Sequence, residues 1–341
     1  MTFDEFSALN VIQMFGLDVS KTAFFAYEDK GVIPTAKRIQ RGQSSYRTWD
    51  TSDLPKIGEA VGFLKKPTSP KVISVFSLKG GTGKTTFAFQ LARTLALHNI
   101  RTLVVGLDAQ ESITQTLNRT APVETEKDNQ AIGLFHVLSA NAKLKDCIRK
   151  TDLEALHYIP ETLELSILDR WLKGRVRKEY VMAEQVAAPI FDTGNYDIIL
   201  FDCNPSWSDT VTSALAATDI LISPLGCDIN SLKAASIFVG LLDEFQEEMR
   251  HTFERFWLVP TLAENNKLSQ QILARYRLNY EDTCTVASIR RTVTVQEANV
   301  LGKSLMETAS KTPVFQDFVS TFKEINAAMI ETQAKVAAHG N

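Results

Sequence analysis

The sequence predicts an α/β fold, a mostly parallel sheet covered by helices on both faces, with a small helical unit ahead of it. Three observations carry this expectation. From residue 71 onward, apolar runs of strand length alternate with longer stretches of helical periodicity, as expected where each parallel crossover is a helix. The first run, 72–76, breaks into Gly80, Gly81 and Gly83 before a helix begins. Two later runs end on aspartates, Asp108 and Asp202, at the sheet edge where open α/β folds place their ligands.

The chain has 341 residues, enough for one large domain and one small one. The expected division is 1–66 and 71–341, with Lys65-Lys66-Pro67-Thr68-Ser69-Pro70 as the linker between them. Hydrophobic content of 44% and charged content of 23% describe a globular chain. Its apolar runs are too short to span a bilayer. The opening Met-Thr-Phe-Asp-Glu-Phe lacks the basic and apolar regions of a signal peptide. Cys147, Cys203, Cys227 and Cys284 lie far apart without metal-ligand spacing and read as small buried thiols. The location expected from these features is cytoplasmic. A net charge of −3 means that any nucleic-acid surface must be local.

Taken in order, the chain opens with apolar residues at helical spacing from Asp4 to Phe15, ended by Gly16. Asp18-Val19-Ser20-Lys21-Thr22 supplies capping residues for a second helix reaching Tyr27-Glu28. A basic stretch with Lys37, Arg38, Arg41 and Arg47 follows, then a third helix capped at Thr51 or Ser52. Helix, glycine-containing turn and helix make a helix-turn-helix pattern. Gly-Leu-Asp-Val-Ser-Lys-Thr, Tyr-Glu-Asp-Lys-Gly-Val-Ile-Pro and Tyr-Arg-Thr-Trp together resemble the winged helix-turn-helix of MerR-type regulators over residues 5–62. The resemblance implies that Ser20, Lys21 and Thr22 begin a recognition helix. It also makes Lys37, Arg38, Arg41 and Arg47 wing contacts to phosphate or the minor groove.

The stretch Val72 to Thr86 is a strand, a glycine turn and a helix start. Glycines at 80, 81 and 83 let backbone N–H groups approach phosphates, and the helix N-terminus adds partial positive charge. Lys84 would reach β- and γ-phosphates, Thr85 would take a place on Mg²⁺, and Thr82 and Thr86 complete the loop. Further strands are expected at 102–107, 197–201, 219–225, 256–260 and 283–287. Long helices are expected at 231–249 and from Val314 to about Ala338. Asp202, closing Ile-Ile-Leu-Phe-Asp, fits the aspartate that holds Mg²⁺ through water in phosphate-binding folds.

Lys79-Gly80-Gly81-Thr82-Gly83-Lys84-Thr85 carries a second lysine at the start of the loop, and Leu78 stands where a stricter pattern has glycine. This deviant Walker A box resembles that of the ParA/MinD family of P-loop ATPases. Gly133 to Leu138, Tyr158-Ile159-Pro160, Leu221 to Pro224, and the segments near Ile289 and Gly302 extend the likeness over about 72–328. The resemblance implies an ATP- and Mg²⁺-dependent sandwich homodimer in which Lys79 crosses to the partner's phosphates. Asp108 would orient the attacking water. Two positions depart from the family's Asp-x-Asp-Pro-Gln: Gly106 replaces its first aspartate and Ala109 its proline.

By the same resemblance, ATP-bound dimers bind DNA non-specifically through basic residues late in the chain. Arg290 and Arg291 are the candidates, with Lys303, Arg275 and Arg277 nearby. The function implied is DNA segregation: a nucleoid-associated ATPase stimulated by a ParB-type centromere-binding protein, its N-terminal unit reading an operator. A nucleotide-gated repressor with little hydrolysis is the alternative. A membrane-targeting reading ranks below both, because the tail 332–339 has one lysine and weak apolar character.

Overall fold

The computed structural model describes residues 5–41, 44–110, 112–121 and 132–339. The first elements are β1 (Glu5–Ser7), α1 (Ala8–Met14), α2 (Lys21–Asp29), β2 (Lys37–Arg41), β3 (Ser44–Asp50) and α3 (Leu54–Val61). The basic stretch is therefore an antiparallel hairpin, and β1 pairs on its other side with Phe6 opposite Trp49. Two expectations change here. The first helix starts at Ala8, and Asp4 lies outside the described residues. Ser7 accepts from the Asn10 N–H and Asn10 from the Ser7 N–H, and this reciprocal cap leaves Glu5–Ser7 as a strand. The third helix begins at Leu54 after a 3₁₀ turn over Thr51–Asp53, where Asp53 accepts from the Asp50 N–H.

The main sheet contains β4 (Lys71–Val75), β5 (Thr102–Leu107), β6 (Arg149–Lys150), β7 (Leu156–Ile159), β8 (Ile198–Cys203), β9 (Ile220–Gly226) and β10 (Arg255–Thr261). Their order is β10-β9-β4-β8-β5-β7-β6, parallel except for the β6–β7 pair. Between them run α4 (Lys84–Leu97), α5 (Ser112–Asn118), α6 (Leu134–Leu138), α7 (Leu144–Cys147), α8 (Leu168–Lys173), α9 (Ala188–Asp192), α10 (Asp209–Ala216) and α11 (Ile229–Met249). After β10 come α12 (Lys267–Asn279), α13 (Thr294–Val300), α14 (Leu305–Ala309) and α15 (Pro313–His339). Residues 283–287 are not a strand. Cys284 makes one isolated bridge to Leu258, and then the N–H groups of Val286 and Ala287 turn to the Glu324 carboxylate on α15.

Strand side chains alternate between two cores, as period-2 geometry requires. Ile73, Val75 and Val104 face one core, shared with α4, α15 and the N-terminal elements; Val72, Phe76, Leu103 and Val105 face the other, with α6 to α11. Helix α4 is apolar nearly all round because it is enclosed: Lys84 and every residue from Phe87 to Leu97 are buried. Its far end carries the N-terminal unit. A Cβ on Gly58 would lie 2.0 Å from the Leu97 carbonyl oxygen, so only glycine lets α3 approach this closely.

Beside that contact, His98 is buried between the Phe15 and Phe63 rings, whose centroids are 5.3 and 4.5 Å away. The Phe63 N–H donates to its Nε2 at 3.2 Å, and Nδ1 lies 2.8 Å from the Thr94 carbonyl, which fits the neutral tautomer protonated at Nδ1. Burial lowers its pKa to about 4, with Lys65 adding to the effect. A folded pKa below the unfolded value means stability is complete above about pH 6.5 and drains away as pH falls toward 4. By linkage the loss reaches about 2 kcal/mol near pH 5. Urea midpoints at pH 7.5 and pH 5 should therefore differ more for the native chain than for His98→Gln. Equal shifts would contradict the neutral assignment.

Candidate functional site

The site is built on the carboxyl edge of three neighbouring strands, β4, β8 and β5. After β4 the chain turns through residues 76–83 and enters α4. Gly81 and Gly83 have φ of +74° and +87°, a left-handed backbone that side chains with a Cβ disfavour. The loop is braced from within: Ser77 and Thr82 hydroxyls are 2.9 Å apart, and Thr261 at the end of β10 donates to the Thr82 carbonyl at 2.7 Å. Lys84, the first residue of α4, is buried and donates to the Lys79 carbonyl across the loop at 3.1 Å. Burial pushes its amine below the ordinary lysine value, opposed by Asp202 and Asp108. Thr85 and Thr86 are half-buried on the first turn, and Asn299 donates to the Thr86 hydroxyl at 3.3 Å.

Lys79 occupies a different place. Its ammonium donates to both Asp228 carboxylate oxygens, at 2.7 and 2.9 Å, and to Ser231 Oγ at 2.9 Å. Asp228 also caps α11, accepting from the Ser231 N–H at 3.0 Å. Against its partial burial, the Asp228 carboxyl is held down at about 2 by Lys79 and Ser231. The two lysines of one loop thus point to different partners: Lys84 into the loop, Lys79 to the head of α11.

Asp202, in register with Val75 on one side and Gly106 on the other, is 1% exposed. Neither of its carboxylate oxygens has a hydrogen-bond partner among the described residues. Burial pushes its pKa up to about 7, with the Thr85 hydroxyl, close by but outside hydrogen-bond geometry, and then Lys84 pulling the other way. An orphaned buried carboxylate beside a threonine hydroxyl suits a hard divalent cation, which takes one or two carboxylates and completes its shell with water and phosphate oxygens. Thr85 and Asp202 fit Mg²⁺ on this ground.

Asp108 follows β5 and is half-buried; its Oδ1 accepts from the Gln110 N–H at 3.0 Å. Its own N–H donates to Glu161 Oε1 at 3.2 Å. Sequence reasoning passed over Glu161, which stands just after β7 and is 2% exposed. The signal was available, since Glu161 ends an apolar run as Asp108 and Asp202 do. The run is only four residues long with His157 inside it, so it did not read as a buried strand. Burial, with Asp202 and Asp108 nearby, pushes Glu161 up to about 8. Two cavities adjoin the edge. One, of about 230 Å³, lies between Asp108 and the turn Asn204–Ser206. The other, of about 90 Å³, runs beside Gly83 and Thr86 over Phe87, Val295 and Phe318.

The expected nucleic-acid residues are scattered over other surfaces. Ser20 caps α2, its hydroxyl accepting from the Ala23 N–H at 3.2 Å, and Lys21 and Thr22 are exposed on the first turn. Arg38 is exposed on β2, and the Arg41 side chain lies outside the described residues. Lys37 pairs with Asp50. Arg47 bonds Glu28 at 2.7 Å and lies over the Phe25 ring at 4.3 Å. Arg290 is bound by Asp317 at 2.6 and 2.8 Å and lines the smaller cavity. Arg291 meets Glu264 at 3.1 Å. Lys303 is buried and held by Asp152 at 2.6 Å, which removes it from any DNA surface. Among the described residues no helix is long and apolar enough to cross a membrane.

Comparison with known proteins gives the same fold and a narrower family. The sequence model described as an AAA domain matches residues 70–255, more than half of the chain. The chromosome partitioning protein ParA of Caulobacter vibrioides is 28% identical over 268 residues, covering 78% of this chain and 98% of that protein. Among solved structures, an ATP complex of a McdA variant from Cyanothece superposes with a TM-score of 0.67 at 18% identity, covering 76% and 96% of the two chains. A cobyrinic acid a,c-diamide synthase from Mycobacterium smegmatis, bound to an ATP analogue and magnesium, has a TM-score of 0.56 at 23% identity, covering 68% and 91%. That a synthase shares the architecture means the fold alone does not fix the reaction.

Proposed function

The chain belongs to the AAA-domain family matched at 70–255, as a P-loop ATPase of the ParA/MinD kind, and from this premise we propose that it is a DNA-segregation ATPase. In this reading ATP with Mg²⁺ closes two copies into a sandwich that binds DNA non-specifically, and hydrolysis releases it. A centromere-binding partner of the ParB type stimulates turnover. The chain then acts in the cytoplasm on the nucleoid.

One observation carries the reading. Lys84 alone serves the loop from within, whereas Lys79 reaches outward to Asp228 and Ser231 at the head of α11. A lysine at the loop mouth with no task in its own phosphate site suits the phosphates of a facing copy, as an arginine finger does, once it exchanges Asp228 for them. Within one copy, the N–H groups of Gly80 to Gly83 and the Lys84 ammonium bind phosphates, and Thr85 and Asp202 hold Mg²⁺. A divalent cation bound there would supply positive charge to offset that developing on the phosphates. Asp108 orients water, and the slot over Phe87 and Phe318 is the candidate nucleoside pocket.

The N-terminal elements support a reader module: α2 presents Lys21 and Thr22, and the β2–β3 hairpin presents Arg38 as a wing. We assign residues 1–66 to operator binding and residues 71–341 to the ATPase. One observation favours the second reading, a nucleotide-gated repressor. Arg290 and Arg291 are each ion-paired within the chain, so a non-specific DNA surface there requires Asp317 and Glu264 to let go.

The test is the molar mass in solution with ATP, with ADP and without nucleotide. The native chain should double in mass only with ATP. Lys79→Ala should stay monomeric while still binding ATP. A Lys79→Ala protein that dimerises with ATP as the native chain does would remove the sandwich.

A further inference from the structure

Gly106 lies on β5 between two acids, in register with Asp202 on β8 and one residue beyond Val105, which pairs with Ile159 on β7. It has room for a side chain only if Glu161 moves. A Cβ there would lie 2.3, 2.5 and 2.6 Å from Cγ, Cδ and Oε1 of Glu161, closer than real atoms approach. The space beside Gly106 is filled by a carboxylate arriving from the neighbouring strand.

That carboxylate is fully used. Oε1 accepts from the Asp108 N–H at 3.2 Å and Oε2 from the Thr114 N–H at 3.3 Å, while the Glu161 N–H donates to Thr114 Oγ1 at 2.7 Å. Glu161 therefore ties the exit of β5, the first turn of α5 and the end of β7 into one piece. Asp108 is fixed from both sides, by Glu161 at its N–H and by Gln110 at its own carboxylate. Burying an acid beside Asp202 and Asp108 is costly, and a small residue at 161 would avoid that cost. The structure keeps the acid where it holds the backbone of Asp108.

We propose that Glu161 is a positioning residue for ATP hydrolysis: from β7 it fills the space left by Gly106 and fixes Asp108 for its work on water. The proposal rests on the reading of Asp108 as the hydrolytic carboxylate. It also gives Gly106 a task, because a larger residue there would evict Glu161. The two positions share one volume and hold one acid between them.

The experiment measures turnover at saturating ATP and Mg²⁺, nucleotide affinity with a fluorescent ATP analogue, and the urea midpoint. The proteins are the native chain, Glu161→Ala, Glu161→Gln, Gly106→Asp and the double variant Gly106→Asp/Glu161→Ala. Glu161→Ala should lose about 10- to 100-fold in turnover, the scale of a misplaced catalytic group, with nucleotide affinity changed by less than about threefold. Glu161→Gln keeps the volume but offers one accepting oxygen for two N–H groups, so its loss should be intermediate. Gly106→Asp alone should be inactive through collision. The double variant should recover most of the turnover, because an aspartate at 106 projects its carboxyl into the vacated space.

Native turnover with an unimpaired Glu161→Ala overturns this proposal alone. So does a Glu161→Ala protein that loses affinity as much as turnover, or a double variant no better than Glu161→Ala. Where alanine unfolds the chain, Glu161→Gln and the double variant carry the decision. A native chain that binds ATP without hydrolysing it sinks the reading of Asp108, and this proposal with it.

Discussion

Asp108→Ala is expected to lower single-turnover ATP hydrolysis by about 10²–10⁴-fold, the range that a positioned acid–base or water-orienting group supplies. Nucleotide binding should be nearly unchanged. The groups that would hold the phosphates and the cation, Lys84, Thr85, Asp202 and the N–H groups of the loop, stand on β4, β8 and α4 and do not depend on this side chain. What alanine removes is a carboxylate at the edge of the site and its bond to the Gln110 N–H. Asp108→Asn separates these two roles: it can keep the turn but not the negative charge. Both variants should hydrolyse slowly and, in the proposed switch, stay as ATP-bound dimers on DNA. An Asp108→Asn protein with native turnover would reduce Asp108 to a turn former.

The largest expected loss of stability is at Arg93. This arginine lies midway along α4 with its side chain fully enclosed, as is that of Glu307. It donates to Glu307 at 2.5 and 2.8 Å and to Asp152 at 2.8 and 2.8 Å, and Lys303 reaches Asp152 from the other side at 2.6 Å. Ser304 donates twice to Glu307, through its N–H and its hydroxyl, both at 2.8 Å. The network thus joins the helix of the phosphate loop to α14 and its cap, and to the turn between β6 and β7. Arg93→Met strands a buried carboxylate and should cost about 3–5 kcal/mol. Arg93→Met with Glu307→Gln should recover part of that, since Asp152 keeps Lys303, no charge is left alone in the core, and the amide oxygen can still accept from Ser304. Urea midpoints decide it: a single variant within about 0.5 kcal/mol of the native chain, the spread of ordinary surface changes, would contradict the network.

The parts of the fold that were legible in the sequence are those where local chemistry and pattern agree. The strand, glycine turn and helix over 72–97 could be read because β-branched residues, glycines and a four-residue apolar repeat follow one another. Asp202 could be read because an uninterrupted apolar run delivers it to a sheet edge. The basic hairpin 37–50 hid its strands behind charge, and Glu5–Ser7 looked helical because Phe6 falls on the same spacing as Leu9. Thr283 to Ala287 has strand composition, but Glu324, far along the chain, takes the N–H groups that a ladder needs.

Pairings between distant residues were the least accessible part of the site. The partner of Lys79 is Asp228, and the occupant of the space at Gly106 is Glu161. A glycine in a family position usually held by an acid looked like a loss. In the structure an acid is there, carried by the segment just after β7. The ion pairs of Arg47, Arg290 and Arg291 belong to the same kind, since their acidic partners Glu28, Asp317 and Glu264 lie 19 to 27 residues away in the chain.

A segregation switch is tested by binding of the purified chain to sheared, non-specific duplex DNA with ATP and Mg²⁺, with ADP, and without nucleotide. Retention is expected only with ATP, weakening steeply as salt rises because the contacts are to phosphate. Binding that ignores nucleotide, or is confined to DNA upstream of the chain's own gene, would contradict a segregation switch.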